Sequence, residues 1–194
     1  SLASFSNYPH PFTVVVMLDT SASMTDHLKL LNQAAQQFLI RLLTVFLKFS
    51  TMSPDEMLAR VTFEGEERVR AAHMHGKGAL LFTGHFGFWE INALVHAVAL
   101  WPMSVLARPL DNPLLHHLLE STRMRTGNSV IYRRGAIRRV LRALESNQAV
   151  AVLIDQHIQA ADAVYVDFFN RPAATTSALA ALALRTGTPV VPVS

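Results

Sequence analysis

At 194 residues the chain is long enough for one domain with a proper core, and 51% hydrophobic against 16% charged side chains make it apolar for a soluble protein. The absence of cysteine excludes disulfides and thiolate-held metals and fits a reducing compartment. The formal net charge of +3 and the isoelectric point near 9.7 come from unevenly spread arginines, with seven between Arg123 and Arg142, which points to an anionic partner such as phosphate head groups, an acidic carrier protein or nucleic acid.

The N-terminus has no basic stretch leading into an apolar core and a small-residue cleavage site, so no secretory signal is expected. Pro11–Leu18 (PFTVVVML) reads as a buried strand, followed by a turn over Asp19–Ser23 and a helix from about Asp26. Gln36–Phe49 is helical by length and apolar nearly all round, with Arg41 and Lys48 as its charges. Such a helix docks on a bilayer surface or is a core helix whose two charges snorkel. It falls short of a membrane span, since no run reaches the roughly 18 uninterrupted apolar residues required. Ser53-Pro54-Asp55-Glu56 is a helix start with Ser as N-cap, Pro at N1 and Glu at N3. Val61–Glu64 reads as a short strand and Glu66–His75 as a short helix closed by Gly76-Lys77-Gly78.

From there strand and helix alternate. Strands are expected at Ala79–Thr83, Val105–Ala107, Val130–Tyr132, Ala149–Ile154 and Pro189–Val193. Helices are expected from just after Gly84 to about Leu100, and over Pro113–Arg125, Gly135–Ser146 and Ala178–Arg185, the last stopped by Gly187. The continuous apolar run AVAVLI suits a strand covered on both faces. The class is therefore α/β, with a largely parallel or mixed sheet and helices on both faces.

Two pairs have a His five residues before an acid, His85/Glu90 and His157/Asp162. Setting separates them, because His85 follows an apolar strand at the end where open α/β sheets place their ligands. On a continuous helix positions five apart point about 140° from each other. His85 and Glu90 therefore meet only if His85 lies in the loop and Glu90 on the first helical turns. Glu90 then fixes the tautomer and leaves the other ring nitrogen as a base. Gly84 and Gly87 let a substrate or backbone come close.

The run GKGALLFTGHFGFWE, residues 76–90, resembles the first block of the late acyltransferases of lipid A biosynthesis, bacterial enzymes of lauroyl- or myristoyl-transferring type with a His-x4-Asp/Glu motif. Ala107–Pro113 (ARPLDNP), Arg123–Gly127 (RMRTG), Asp155-Gln156 and Phe168–Thr175 (FFNRPAAT) resemble further blocks in the same order, over roughly residues 37–194. The Glu-Gly-Thr-Arg type of block found in glycerol-phosphate acyltransferases is absent, and Asn170 stands where the lipid A family usually has Gly.

The resemblance implies attack by a sugar-lipid hydroxyl on an acyl thioester, with His85 as general base and Glu90 holding it. Arg123 would bind phosphate or stabilise developing negative charge. Gly87, Arg108 and Arg171, which lie in the matched blocks, join Arg123 and Asp155 as implied substrate-binding residues. Asp155 ends its strand at the same sheet edge as His85, where it positions a substrate or Arg123, or caps a following turn. Phe86, Phe88 and Trp89 line an acyl groove or belong to the core. The implied partners are an acyl carrier protein as donor, an anionic glycolipid acceptor and the membrane surface, with no cofactor and no metal. The implied place is the cytoplasmic face of the bacterial inner membrane, peripheral or shallowly anchored. Arg138, Arg139 and Arg142 share one side of their helix, which is a solvated face or a contact for anionic lipid or acidic carrier. Nucleic acid is not expected, since no groove-reading motif accompanies the charge.

Residues 1–35 stand apart from a domain expected over 36–194, which breaks off where the resembled family continues through more sheet. TVVVMLDTSASM, with LKLLNQAAQQFL behind it, resembles the first strand and helix of a von Willebrand factor A domain, whose metal-site residues would be Asp19, Ser21 and Ser23. A metal-dependent adhesion or scaffold module is thus the rival reading, alongside a catalytically inactive lipid-binding fragment.

Overall fold

The computed structural model describes residues 28–194 except 86, 157 and 159–162. The described strands are β1 (Ala79–Thr83), β2 (Met103–Ala107), β3 (Ser129–Tyr132), β4 (Ala149–Leu153), β5 (Val164–Phe168), β6 (Arg171–Thr175) and β7 (Val190–Pro192). The helices are α1 (Leu28–Thr51), α2 (Pro54–Leu58), α3 (Glu66–Met74), α4 (Trp89–Ala99), α5 (Pro113–Met124), α6 (Ala136–Glu145) and α7 (Ala178–Thr186). Five strands form one parallel sheet in the order β3-β2-β4-β1-β7, while β5 and β6 pair as a separate antiparallel ribbon. The expected α/β class with a parallel sheet is borne out.

The alternation of side chains along a strand divides the core between the two faces of the sheet. Leu81, Ala79, Met103, Val105 and Ala149 pack on one face with Val69 and Ala72 of α3, and with Ala93 of α4. Leu80, Ile131 and Val150 pack on the other with Val140, Ala143 and Leu144 of α6, and with Leu179 and Leu182 of α7. The central strands β1 and β4 are thus covered on both sides, which is why Ala79–Phe82 and Ala149–Leu153 are apolar without interruption. Their entry points are pinned together. Gly78 has φ +69° and donates its N–H to Asn147 Oδ1 at 2.8 Å, and a Cβ there would lie 2.4 Å from the Gln148 carbonyl oxygen. Only glycine fits that approach.

Some expected elements differ. Val61–Glu64 is not a strand: the Val61 N–H bonds back to the Leu58 carbonyl at 3.3 Å, which continues the turn after α2. The two helices expected from Asp26 and over Gln36–Phe49 are one, since α1 runs unbroken from Leu28 through residues 35 and 36 to Thr51. Phe46 of α1 is buried, whereas Ile40, Leu43 and Leu47 are exposed. Among the described residues no helix is long and apolar enough to cross a membrane. The helix expected just after Gly84 begins only at Trp89, leaving a loop around His85. The β5–β6 ribbon is an addition to the expected elements: its first strand is exposed throughout, so no inside–outside alternation marks it. Its turn holds Phe169 and Asn170 at φ +54° and +61°, the pair of positive values a two-residue hairpin turn demands. The strand expected at Pro11–Leu18 and the turn at Asp19–Ser23 lie outside the described residues.

Among the described residues one buried core group titrates. His96 of α4 is 9% exposed, donates from Nδ1 to the Trp101 carbonyl at 3.1 Å, and has its Nε2 buried without a hydrogen-bond partner among the described residues. Burial pushes its pKa down to about 4, against a smaller upward pull from the Trp101 carbonyl. Between pH about 4 and 6.5 the unfolded chain holds a proton that the folded chain refuses, so stability rises with pH across that window. Stability should fall by up to about 3 kcal/mol as the pH drops from 6.5 through 4, and His96→Gln should flatten the slope. Urea denaturation at several pH values checks this; an unchanged slope in His96→Gln would assign the acid sensitivity elsewhere.

Candidate active site

Register carries the site. In the parallel pair β1–β4, Thr83 is level with Leu153, and the Ile154 N–H continues the ladder to the Thr83 carbonyl at 3.1 Å. Two residues further on, His85 and Asp155 come face to face beyond the C-terminal edge of the sheet. One Asp155 oxygen, Oδ2, accepts the His85 backbone N–H at 2.6 Å, and the other, Oδ1, lies 2.8 Å from His85 Nδ1. Desolvation raises the Asp155 carboxyl pKa, but the backbone and side-chain hydrogen bonds from His85 and the attraction of its ring outweigh this and hold it below the usual carboxylate range. An ionised carboxylate only accepts hydrogen bonds, so Nδ1 carries a ring proton, and in the neutral ring Nε2 is the nitrogen with the lone pair. Both side chains remain partly exposed, which leaves room for a reacting partner. The ring of Trp89, the first residue of α4, stands edge-on to His85 at 5.1 Å between centroids. Gly87 turns the chain from the His85 loop into that helix with φ +59°, and a Cβ there would meet nothing within 4 Å. Backbone conformation rather than crowding makes glycine suitable at this position.

Glu90 does lie on the first turn of α4, with His85 in the preceding loop, as their meeting required. Its partner is nevertheless different. Glu90 Oε2 accepts from Arg123 Nε at 2.8 Å and Oε1 from Arg123 Nη2, a two-pronged pair with side chains only 17% and 12% exposed. The expected His85–Glu90 hydrogen bond is therefore corrected to His85–Asp155 and Arg123–Glu90. The reason is geometric: the parallel register presents Asp155 to Nδ1, while α4 turns Glu90 toward α5. An acid at the start of one helix and a base in the last turn of another also suit both helix dipoles.

Sequence reading missed a second polar group on the same edge. Tyr132 ends β3, level with Ala107 of β2, and its Oη donates to Glu120 at 2.6 Å with His116 Nε2 at 3.5 Å. Desolvation, the Glu120 hydrogen bond and the Glu120 charge, partly offset by Arg123, push the Tyr132 hydroxyl up to about 12. His116, Glu120 and Arg123 are spaced i, i+4 and i+7 on α5, a signal that one side of this helix faces a polar environment.

The remaining expected residues are dispersed. Arg108 is exposed and meets an equally exposed Asp111 at 3.4 Å, an ion pair of little consequence in water. Arg171 begins β6 and is exposed beside Tyr165 and Asp167 on the ribbon. Arg138, Arg139 and Arg142 are exposed on α6. Among the described residues no group of three or more His, Asp or Glu is arranged to hold a metal ion. Asp19, Ser21, Ser23, Phe86 and the His157/Asp162 pair lie outside them.

With this geometry in hand, comparison with known proteins is decisive for the family. The model of the bacterial lipid A biosynthesis acyltransferases matches residues 21–194. The chain belongs to that family. It is also similar to the lipid A biosynthesis acyltransferase of Haemophilus influenzae, with 29% identity over 143 residues, covering 72% of this chain and 44% of that protein. The chain thus spans less than half the length of that curated relative. The family match takes in Ser21 and Ser23, two of the three residues that resembled a von Willebrand factor A metal site.

Proposed function

We propose that this chain carries the reacting edge of a lipid A acyltransferase, moving a fatty acyl group from an acyl carrier protein thioester to a hydroxyl of a lipid A precursor or similar glycolipid. The observation that carries this reading is the 2.8 Å contact between His85 Nδ1 and Asp155 Oδ1, which leaves Nε2 as the base. His85 Nε2 takes the acceptor hydroxyl proton as the oxygen attacks the thioester carbonyl carbon. The tetrahedral intermediate then expels the thiolate, which recovers that proton from the imidazolium, so His85 ends as it began. Asp155 holds the ring in the correct tautomer and offsets its transient charge. Glu90 serves one step removed: with Arg123 it fixes α4 against α5 and so orients the loop that presents His85. Gly87 shapes that loop, and the exposed Arg108 and Arg171 meet anionic groups of the acceptor or carrier. The reaction takes place at the cytoplasmic face of the inner membrane, with the chain held peripherally.

The test is direct. The purified chain, incubated with acyl carrier protein thioesters and a lipid A precursor, should yield a precursor heavier by one acyl group in mass spectrometry. Consumption of thioester with free fatty acid as the sole product would mean hydrolysis and remove the hydroxyl acceptor from the scheme.

A further inference from the structure

Helix α5 is built inside out. Its polar residues His116, Glu120 and Arg123 point inward to Tyr132 and Glu90, while Leu114, Leu115 and Leu118 stand 82%, 54% and 44% exposed. The helix cannot roll to hide these leucines, because doing so would break the buried Arg123–Glu90 fork and the Tyr132–Glu120 hydrogen bond together. Three neighbouring leucines locked outward need an apolar covering. The surroundings specify its charge. Arg108 leaves the end of β2, and the exposed Arg133 and Arg134 follow β3, whose last residue is level with Ala107 of β2. Arginines thus outnumber the exposed acid at this rim, Asp111.

We propose that the outward leucine face of α5, rimmed by Arg108, Arg133 and Arg134, docks on the surface of an anionic lipid bilayer. The leucines enter the acyl boundary and the arginines meet head-group phosphates. The same sheet edge carries His85 and Asp155, so docking here brings the reacting groups to the lipid. The proposal deepens the acyl-transfer reading, but binding is measured without catalysis, so either can fail alone.

Co-sedimentation with vesicles of phosphatidylcholine containing about 30% phosphatidylglycerol, a composition that supplies the anionic surface, tests it. The purified chain should bind these vesicles, bind pure phosphatidylcholine far less, and release as salt is raised. Leu114→Asp/Leu118→Asp should weaken binding by more than about tenfold, and the milder Leu114→Gln/Leu118→Gln should weaken it in the same direction. Arg133→Glu/Arg134→Glu should do likewise, while Arg138→Glu/Arg139→Glu on α6 should not. Unaltered melting by circular dichroism in the leucine variants assigns the loss to docking. Equal binding of neutral vesicles, full binding by the leucine variants, or loss confined to the α6 variant would overturn the proposal. So would conversion of a dimer to a monomer by Leu114→Asp/Leu118→Asp with vesicle binding unchanged, which would give this face to a second copy of the chain.

Discussion

Replacing His85 with alanine should lower acyl transfer by about 10²–10⁴-fold, the usual contribution of a positioned general base. Melting should change little, because the side chain is partly exposed and packs mainly against Trp89. Asp155→Asn should approach the same loss by a different route. An asparagine oxygen can still accept from Nδ1, but its NH₂ group offers the ring a donor in place of a negative charge, and the wrong tautomer becomes accessible. Since Asp155 acts through His85, the double variant His85→Ala/Asp155→Asn should be no worse than His85→Ala alone. Nitrogen chemical shifts of the ring give an independent readout: Nδ1 should be the protonated atom in the wild type, with the tautomers mixed in Asp155→Asn. Multiplying losses in the double variant, or an unaltered tautomer, would show that Asp155 does not work on His85. His85→Ala retaining activity within about threefold of wild type would remove the base from the scheme altogether.

The largest effect on stability is expected at Glu90 and Arg123. Both side chains are largely withdrawn from water and joined by two parallel hydrogen bonds, so removing either leaves an uncompensated charge between α4 and α5. Glu90→Ala and Arg123→Ala should each cost about 3–5 kcal/mol in urea denaturation, whereas Glu90→Met/Arg123→Met should cost much less than their sum. Arg123→Lys should still destabilise, because an ammonium cannot make the planar fork. The kinetic signature separates this pair from the base. Near the melting range Glu90→Ala loses activity with its fold, while at low temperature it retains more transfer than His85→Ala. Single variants within about 1 kcal/mol of wild type would mean that water screens the pair and that α4 is held by packing alone.

The contrast between these two acids shows where sequence reading stops. His85 and Glu90 stand out in the sequence as candidates because an apolar strand, a glycine and a His-x4-Glu spacing stand in one continuous stretch. The parallel sheet was legible too, since runs such as Ala149–Leu153 have no polar alternation and must be covered on both faces. Local signals also located α2 by its capping box and α7 by the glycine that ends it. Strand order is not local. Only the pairing of β1 with β4 brings residue 155 opposite residue 85, and periodicity within either strand says nothing about its neighbour. The partner of Glu90 depended likewise on the packing of α5 against α4. The same packing decided which side of α5 faces water: its sequence offers a leucine side and a polar side, and composition favours burying the leucines. Tertiary structure reversed that preference because Glu90 partners Arg123 and Tyr132 partners Glu120 and His116, and a satisfied polar contact withdrawn from water is costly to break.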